Sequence, residues 1–179
     1  MRASACRRLR SSLYAEQGFE QTTVADIARR VGLTERTFFR HFADKREVLF
    51  HGQDALTQAF LDGVVAAPEG SSPCRLVVSA LESSTGWFPD ERRAHSRQRQ
   101  AVIDAHPGLQ EREPAEAAAL GTTLTEALRA RGVGDPAARL AAEFGVTVFG
   151  VAFTQWLADG EERSMGEPAD RRAARASAP

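Results

Sequence analysis

The sequence predicts an all-α protein with a small N-terminal domain, residues 1–45, and a larger helical body, residues 46–160. Glycine and proline divide the chain into segments whose apolar residues recur every three to four positions, which is the period of an α-helix. No segment shows the two-residue alternation of a strand. The two parts also differ in charge: residues 1–50 carry ten basic and six acidic side chains, whereas the rest of the chain carries 13 and 18. The basic N-terminal part is suited to a polyanionic partner.

The first predicted helix covers residues 2–17 and ends at Gly18, because glycine commonly follows the last turn of a helix. Cys6, Leu9 and Leu13 recur at intervals of three and four residues. This spacing places the three side chains on one face, which we expect to point inward.

Two short helices follow. The second predicted helix begins at Thr23, whose hydroxyl can cap the first turn, and Asp26 can complete a capping box in place of the usual Glu or Gln. It stops at Gly32, where a turn with a positive φ is expected. The third helix runs from Thr34 to about His41. A pair of helices of this size, joined across a glycine, has the dimensions of a helix-turn-helix, although such pairs are also common in other all-α proteins.

The third predicted helix has one apolar and one polar face. Phe38 and Phe42 fall on the same side of a helical wheel, and Arg36 and Arg40 fall on the opposite side. The exposed side chains are of types that contact DNA in a major groove: Arg with guanine, Glu with cytosine amino groups, and Thr methyl or Phe with thymine methyl. The predicted contact residues on this helix are Thr34, Glu35, Arg36, Thr37, Phe39, Arg40 and His41. His41 could equally cap the C-terminus of the helix.

Two residues outside this helix are placed to hold phosphates. Thr23 opens the second helix, and Lys45, the single lysine of the chain, opens the helix that follows the third. Helix N-termini attract anions through their free N–H groups. We therefore predict that Thr23 and Lys45 contact the DNA backbone on either side of the reading helix, which would set its register.

The body is predicted to contain five helices. They cover residues 44–66, 74–84, 89–105, 108–131 and 135–159, with a loop at 68–73. Pro114 either kinks the fourth of these helices or marks its true start. The tail, residues 161–179, has almost no large apolar side chains and is therefore predicted to be disordered.

The last predicted helix carries two apolar stripes, so it must be buried on more than one side. One stripe can face the core and the other a second subunit; the alternative is a single deeply buried helix in a monomer. The residues predicted to form a dimer interface lie on the last two helices. They are Leu120, Leu124, Leu128, Phe144, Val148 and Val151.

Apolar side chains of the body could enclose a small apolar or amphipathic ligand. The predicted lining consists of Phe60, Leu81, Trp87, Phe88, His95 and Val102. Phe88, His95 and Val102 are spaced by seven residues, which places them on one face of a helix. His95 is either a ligand-binding side chain or a histidine of the core.

Other classes of function find little support. No apolar run approaches the about 20 residues of a membrane span, and no secretory signal is present. Cys6 and Cys74 form no C-x-x-C pair, and motifs such as H-E-x-x-H and G-x-S-x-G are absent. We expect a cytoplasmic protein that has no membrane partner, metal, cofactor or enzymatic activity.

Residues 22–50, TTVADIARRVGLTERTFFRHFADKREVLF, resemble the DNA-binding domain of the TetR family of one-component bacterial repressors. The elements T-V-x-x-I-A, G-L-T and T-F-F-R-H-F-x-x-K stand at unbroken spacing. The resemblance covers about residues 1–50; the rest resembles the family in being helical, of suitable length and closed by an apolar helix. It implies DNA contacts by Thr23, Arg36, Thr37, Phe39, His41 and Lys45. Phe39 stands where the family usually has tyrosine, so only an apolar contact is implied there.

The resemblance also implies a function. A homodimer, with its last two helices paired in a four-helix interface, would bind a pseudopalindromic operator in double-stranded DNA, and a small effector would release it. Such a protein is most simply a repressor, although an activator could carry the same N-terminal domain. The alternative from another class is an all-α dimer that binds or metabolises a small molecule and whose degenerate N-terminal domain binds DNA without sequence preference.

Overall fold

The computed structural model describes residues 13–14 and 17–167, and every regular element in that part of the chain is helical. The predicted all-α class is therefore confirmed. Of the first predicted helix, Leu13 and Tyr14 are helical and buried, whereas Cys6 and Leu9 lie outside the described residues. The α-helices are α1 (Val24–Arg30), α2 (Glu35–Phe39), α3 (Glu47–Phe50), α4 (Gln53–Ala66), α5 (Pro73–Thr85), α6 (Arg93–Asp104), α7 (Pro107–Gln110), α8 (Arg112–Ala130) and α9 (Ala137–Leu157), and a 3-10 turn covers Asp90–Arg92.

The chain forms two compact units, and neither is a continuous stretch of sequence. The head unit consists of Met1–Ala55 and Ala94–Ala118, and the body unit consists of Leu56–Arg93 and Ala119–Pro179. The single boundary predicted between residues 45 and 46 therefore differs from the observed division. Residues 94–118 belong to the head unit because their apolar side chains complete its core.

The core of the head unit combines aromatic and aliphatic side chains that are distant in sequence. Val102, Ile103 and Leu109 are buried with residues of the first 50 positions. The cluster consists of Leu13, Tyr14, Phe19, Ile27, Ala28, Phe38, Phe42, Val48, Leu49, Phe50, Val102, Ile103 and Leu109. Burial of this much apolar surface is what stabilises a unit with such short helices, since short helices are marginal alone.

Two predicted helices are divided in the structure. The helix predicted at 44–66 is interrupted between α3 and α4, where His51 is extended and Gly52 has a φ of 108°. Only glycine adopts such a backbone at little cost, so Gly52 allows the break. The helix predicted at 108–131 is likewise two helices, α7 and α8. Pro114 is the third residue of α8, in the first turn where no N–H bond is lost, so it marks a helix start rather than a kink.

The body unit has helices in very close contact. A Cβ atom on Gly63 of α4 would lie 2.4 Å from the carbonyl oxygen of Ser79 and 2.6 Å from Cα of Ala80, both in α5. A Cβ atom on Gly145 of α9 would lie 2.7 Å from Cγ1 of Val77. Glycine at these two positions lets α4 and α9 approach α5 at distances that any side chain would prevent.

Helix α9 is apolar along its whole length. Ala138, Ala142, Gly145 and Trp156 are buried in the body unit. By length and composition alone, α9 could cross a membrane, which the sequence had not led us to expect. The core helix of a soluble protein can have the same length and composition. Its exposed large apolar side chains are Leu140, Phe144 and Val151.

The segment that follows α9 is folded back onto the body unit, although residues 161–179 were predicted to be disordered. Arg93 donates hydrogen bonds to the carbonyl oxygens of Glu161 and Arg163. Asp90 accepts hydrogen bonds from the Ser164 hydroxyl (2.7 Å) and from the Trp156 indole (3.3 Å). The segment is held by polar groups rather than by apolar burial, so its composition gave no sign of the attachment. Residues 168–179 lie outside the described residues.

This attachment should depend on pH. The hydrogen bond from Ser164 is the largest cause that lowers the pKa of Asp90 below 3.8, followed by the bond from Trp156. A carboxyl with a lowered pKa in the folded state stabilises the fold above its unfolded pKa and loses that contribution as the pH falls through the folded value. We expect acid to release the segment and to shift the fluorescence of Trp156 to longer wavelength, measured in a Trp87→Phe background. Ser164→Ala should move this shift to higher pH, and Asp90→Asn should abolish it; an identical shift in all three proteins would contradict the assignment.

Candidate nucleic-acid interface

The start of α1 is fixed by the predicted capping box. The backbone N–H of Asp26 donates to the Thr23 hydroxyl oxygen (3.2 Å), and the backbone N–H of Thr23 donates to the Asp26 carboxylate (3.1 Å). The Thr23 hydroxyl also donates to Asp26 at 2.6 Å, and this bond is the largest cause that lowers the pKa of Asp26. The hydroxyl hydrogen of Thr23 is thus committed within the cap, while the residue itself is exposed.

The turn between α1 and α2 depends on one glycine. Gly32 has a φ of 70°, as predicted. Its N–H donates to the carbonyl oxygen of Arg29 (3.1 Å), and the N–H of Leu33 donates to that of Ala28 (2.8 Å). This is a Schellman motif, which satisfies the free carbonyl groups at the end of α1 and reverses the chain into α2. The helix-turn-helix geometry therefore follows from local sequence.

Helix α2 separates the predicted buried and exposed faces. Phe38 and Phe42 are buried, with ring centroids 5.0 Å apart. Phe39 is 54% exposed and meets Phe38 edge to face. The Thr34 hydroxyl accepts a hydrogen bond from the N–H of Thr37 (3.2 Å) and so caps the helix. The exposed residues of this stretch are Thr34, Glu35, Arg36, Phe39, Arg40 and His41, and Thr37 is half-buried.

Lys45 lies in surroundings that its prediction as a phosphate contact did not anticipate. Its Nζ atom donates to the carbonyl oxygens of Phe19 (2.9 Å), Glu20 (3.2 Å) and Thr22 (3.3 Å). It also lies 4.5 Å from the centroid of the Phe19 ring. An ammonium group has three hydrogens, and in this structure all three are directed at the protein. Nothing local could have revealed these bonds, because the partners precede Lys45 by 23 to 26 residues.

The residues predicted to line a ligand pocket are divided between the two units. Phe60, Leu81, Trp87 and Phe88 belong to the body unit, whereas His95 and Val102 belong to the head unit. Val102 is buried in the head core, and its place in a pocket lining stays a prediction. The seven-residue spacing failed because α6 begins at Arg93, so Phe88 lies outside the helix that carries His95 and Val102.

The aromatic side chains of the last helix form part of an apolar stripe in the sequence, but none of them was predicted to line the ligand pocket. Phe149 and Phe153 lie on α9, on the apolar stripe that does not carry the predicted interface residues Phe144, Val148 and Val151. Phe149 contacts Phe60 and Phe88 with ring centroids 5.3 and 5.6 Å apart, and Phe153 lies 5.3 Å from Phe88. Together with Trp156, 5.8 Å from Phe88, these rings form the aromatic cluster of the body unit: Phe60, Phe88, Phe149, Phe153 and Trp156.

The residues predicted for a dimer interface differ in their burial. Leu120, Leu124 and Leu128 are buried in the core of their own body unit, and their contact with a second subunit stays a prediction. The leucine stripe of α8 has its partners within the same chain. On α9, Phe144 is 60% and Val151 54% exposed, and Val148 is half-buried. This face, together with Leu140, is available for a partner.

The N-terminal part of the chain is similar to bacterial regulatory proteins. Residues 11–51 match the family described as bacterial regulatory proteins, tetR family. The HTH-type transcriptional regulator TcmR of Streptomyces glaucescens is 40% identical over 78 residues, which are 44% of this chain and 34% of that protein. The chain spans half or less of the length of the curated relatives it matches.

Two crystal structures share the fold over most of the chain. One is the TetR family transcriptional regulator PfmR from Thermus thermophilus, with 21% identity, a TM-score of 0.50, and coverage of 96% of this chain and 93% of that chain. The other is the Thermus thermophilus transcriptional repressor FadR in complex with lauroyl-CoA, with 19% identity, a TM-score of 0.53, and coverage of 97% and 92%. At these identities the likeness establishes the helical fold.

Proposed function

We propose that this chain, whose residues 11–51 match the TetR family of bacterial regulatory proteins, is a sequence-specific DNA-binding repressor of transcription rather than an enzyme. The observation that carries the proposal is the exposed face of α2. Arg36 lies on α2 and Arg40 at its C-cap, one turn further on, while Phe38 on the opposite face and Phe42 after the helix are buried in the head core. A rigid helix that presents arginine, glutamate and an apolar ring can read base edges in a major groove.

The repressor acts as a homodimer in the cytoplasm, and its operator in double-stranded DNA is pseudopalindromic. Two copies pair through the exposed apolar face of α9, which carries Leu140, Phe144 and Val151. Isolated apolar residues are common on protein surfaces, but three large ones on one face of a helix favour a partner. The dimer places two reading helices about 34–36 Å apart, which is one turn of DNA.

A small apolar or amphipathic effector binds the body unit and releases the operator. The aromatic cluster of the body unit supports this proposal, because Phe88, Phe149 and Phe153 are half-buried and can contact an apolar ligand. The effector acts only through different affinities for the free and the DNA-bound shapes. Because the FadR structure contains lauroyl-CoA, acyl thioesters belong in a first screen, together with free fatty acids and aromatic compounds.

Selection from a random-sequence duplex pool tests the proposal. The protein is incubated with the pool at moderate salt, the bound fraction is recovered, and the cycle is repeated. Enrichment of an inverted repeat is expected, and a promoter–reporter assay with that repeat then separates a repressor from an activator. No enrichment, with binding that disappears as salt rises, would instead indicate a degenerate head that binds polyanions.

Arg36→Ala should relax sequence discrimination at one position of each half-site. A bidentate arginine–guanine contact contributes about 1–3 kcal/mol of discrimination, so the preference for that base pair should fall about 5- to 150-fold. Affinities are measured for the operator and for single-base variants. The control is Arg29→Ala, since Arg29 is an exposed cation of α1 that pairs with Asp26; it should leave the base preferences intact. Equal weakening of all operator variants by Arg36→Ala would show that Arg36 does not read a base.

A further inference from the structure

Residues 161–167, EERSMGE, form a strap that follows the C-terminal end of α9 and returns along the body unit. Arg93 donates hydrogen bonds to two of its carbonyl groups, and Asp90 accepts one from its Ser164 hydroxyl. Arg93 and Asp90 also pair with each other, with 2.8 Å between Nη2 and Oδ1. One ion pair of the body unit therefore holds the middle of the strap.

The strap has a second attachment at the end of α5. A Cβ atom on Gly166 would lie 3.1 Å from Cγ2 and 3.5 Å from Cβ of Thr85, the last residue of α5. Phe88, a member of the aromatic cluster, lies between Thr85 and Asp90 in the sequence. The strap is therefore attached on both sides of the short segment that carries Phe88.

The groups that hold the strap also enclose Trp156. Its indole N–H donates to Asp90 at 3.3 Å, and the Arg93 guanidinium lies 5.3 Å from the centroid of its ring. Trp156 is only 2% exposed, although it is the second-to-last residue of α9. Because its ring also contacts Phe88 and Phe153, the attachment of the strap closes this end of the aromatic cluster.

The strap is ordered by contacts of its own. The Glu161 carboxylate accepts hydrogen bonds from the backbone N–H groups of Glu162 (2.9 Å) and Arg163 (2.8 Å) and from Nε of Arg163 (2.9 Å). Met165 is its one large apolar side chain, and it is half-buried. Detachment therefore exposes little apolar surface and exchanges a few polar bonds for bonds to water, so the strap can open without unfolding of the body unit.

We propose that the strap is a gate of the aromatic cluster: apolar ligands enter and leave past Trp156 when the strap detaches from Asp90, Arg93 and Thr85. The inference rests on the proposed function, because it takes the aromatic cluster as the place where the effector binds. A gate lies on the path in both directions. It therefore slows binding and release together and changes the affinity less than either rate constant.

A reversible disulfide tests the gate. Thr85→Cys is combined with Gly166→Cys in a protein that also carries Cys6→Ser and Cys74→Ser. The distance of 3.5 Å between the two Cβ positions falls within the range of about 3.5–4.5 Å found in disulfides. The probe is N-phenyl-1-naphthylamine, an uncharged dye that fluoresces in apolar sites, and stopped-flow fluorescence gives its rate constants. The oxidised protein should bind and release the dye at least about tenfold more slowly than the same protein after reduction.

Ser164→Ala tests the opposite change, because it removes a hydrogen bond from the strap to a carboxylate. Both rate constants should rise about tenfold. In a Trp87→Phe background, acrylamide should also quench the fluorescence of Trp156 more strongly than in the protein with Ser164. Glu162→Ala, which changes an exposed side chain of the same strap, is the matched control and should alter neither the rates nor the quenching.

Equal rate constants in the oxidised and reduced proteins would overturn the gate. Failure of the two introduced cysteines to form a disulfide would do the same, because the strap would then not lie at Thr85. If the cysteine variant does not fold, Ser164→Ala decides, and wild-type rate constants in it would count against the gate. If the dye binds neither form, the aromatic cluster is not a ligand site and the gate fails with the proposed effector site. Quenching of Trp156 then still shows whether the strap covers it, and operator selection tests DNA binding separately.

Discussion

Gly63→Ala should destabilise the body unit by about 2–3 kcal/mol, even though alanine favours helix by about 1 kcal/mol. The new methyl group would lie 2.4 Å from the carbonyl oxygen of Ser79 and 2.6 Å from Cα of Ala80. These atoms belong to the backbone of α5, so no side-chain rotation can relieve the overlap, and α4 and α5 must separate. Urea unfolding monitored by tryptophan fluorescence measures the loss.

Gly86→Ala is the matched control for this experiment. Gly86 follows α5 in the same unit with helical backbone angles, φ −59° and ψ −17°. A Cβ atom there would meet only the carbonyl oxygen of Ser83, at 3.9 Å. We expect unchanged stability or a gain of up to about 1 kcal/mol. Equal stabilities of the two alanine variants would mean that the close contact of α4 and α5 is absent in solution.

Phe144→Glu should convert the proposed dimer into a monomer and weaken operator binding about a hundredfold or more. The side chain is 60% exposed on the α9 face, so glutamate should leave the fold intact while placing a charge in an apolar interface, where it cannot be solvated. A monomer presents one reading helix and loses the gain that comes from binding two half-sites at once. Sedimentation gives the mass, and titration of the selected operator gives the affinity.

Val65→Glu controls for the added charge. Val65 is 76% exposed on α4, a different helix from the one that carries Phe144, so the variant should remain dimeric and should bind the operator normally. A Phe144→Glu protein that sediments as a dimer and keeps operator affinity would exclude the α9 face as the subunit interface.

Features whose partners lie within a few residues could be predicted from the sequence. The capping box pairs Thr23 with Asp26, the Schellman turn needs Gly32, and the burial of Phe38 and Phe42 follows from helical spacing. Each depends on backbone geometry over one or two turns. The exposed face of α2 could therefore be predicted from the sequence.

Features that depend on distant partners could not. The carbonyl groups bound by Lys45 precede it by more than 20 residues, and Val102 joins a core built mainly by the first 50 residues. The leucine stripe of α8, which includes Leu124, showed that a face is buried but not whether its own core or a second subunit buries it. The break at Gly52 was missed because glycine permits a positive φ without requiring it.

The discontinuity of the head unit has a consequence for its independence. The family resemblance ends near residue 51, yet Val102, Ile103 and Leu109 complete the core. A fragment that ends at residue 55 would leave apolar side chains exposed and could not be expected to fold by itself. The head unit is thus not a transferable module. A chimera that exchanges only the N-terminal segment between relatives would combine parts of two different cores. We therefore expect that a chimera with a new DNA specificity needs the matching residues 94–118 as well.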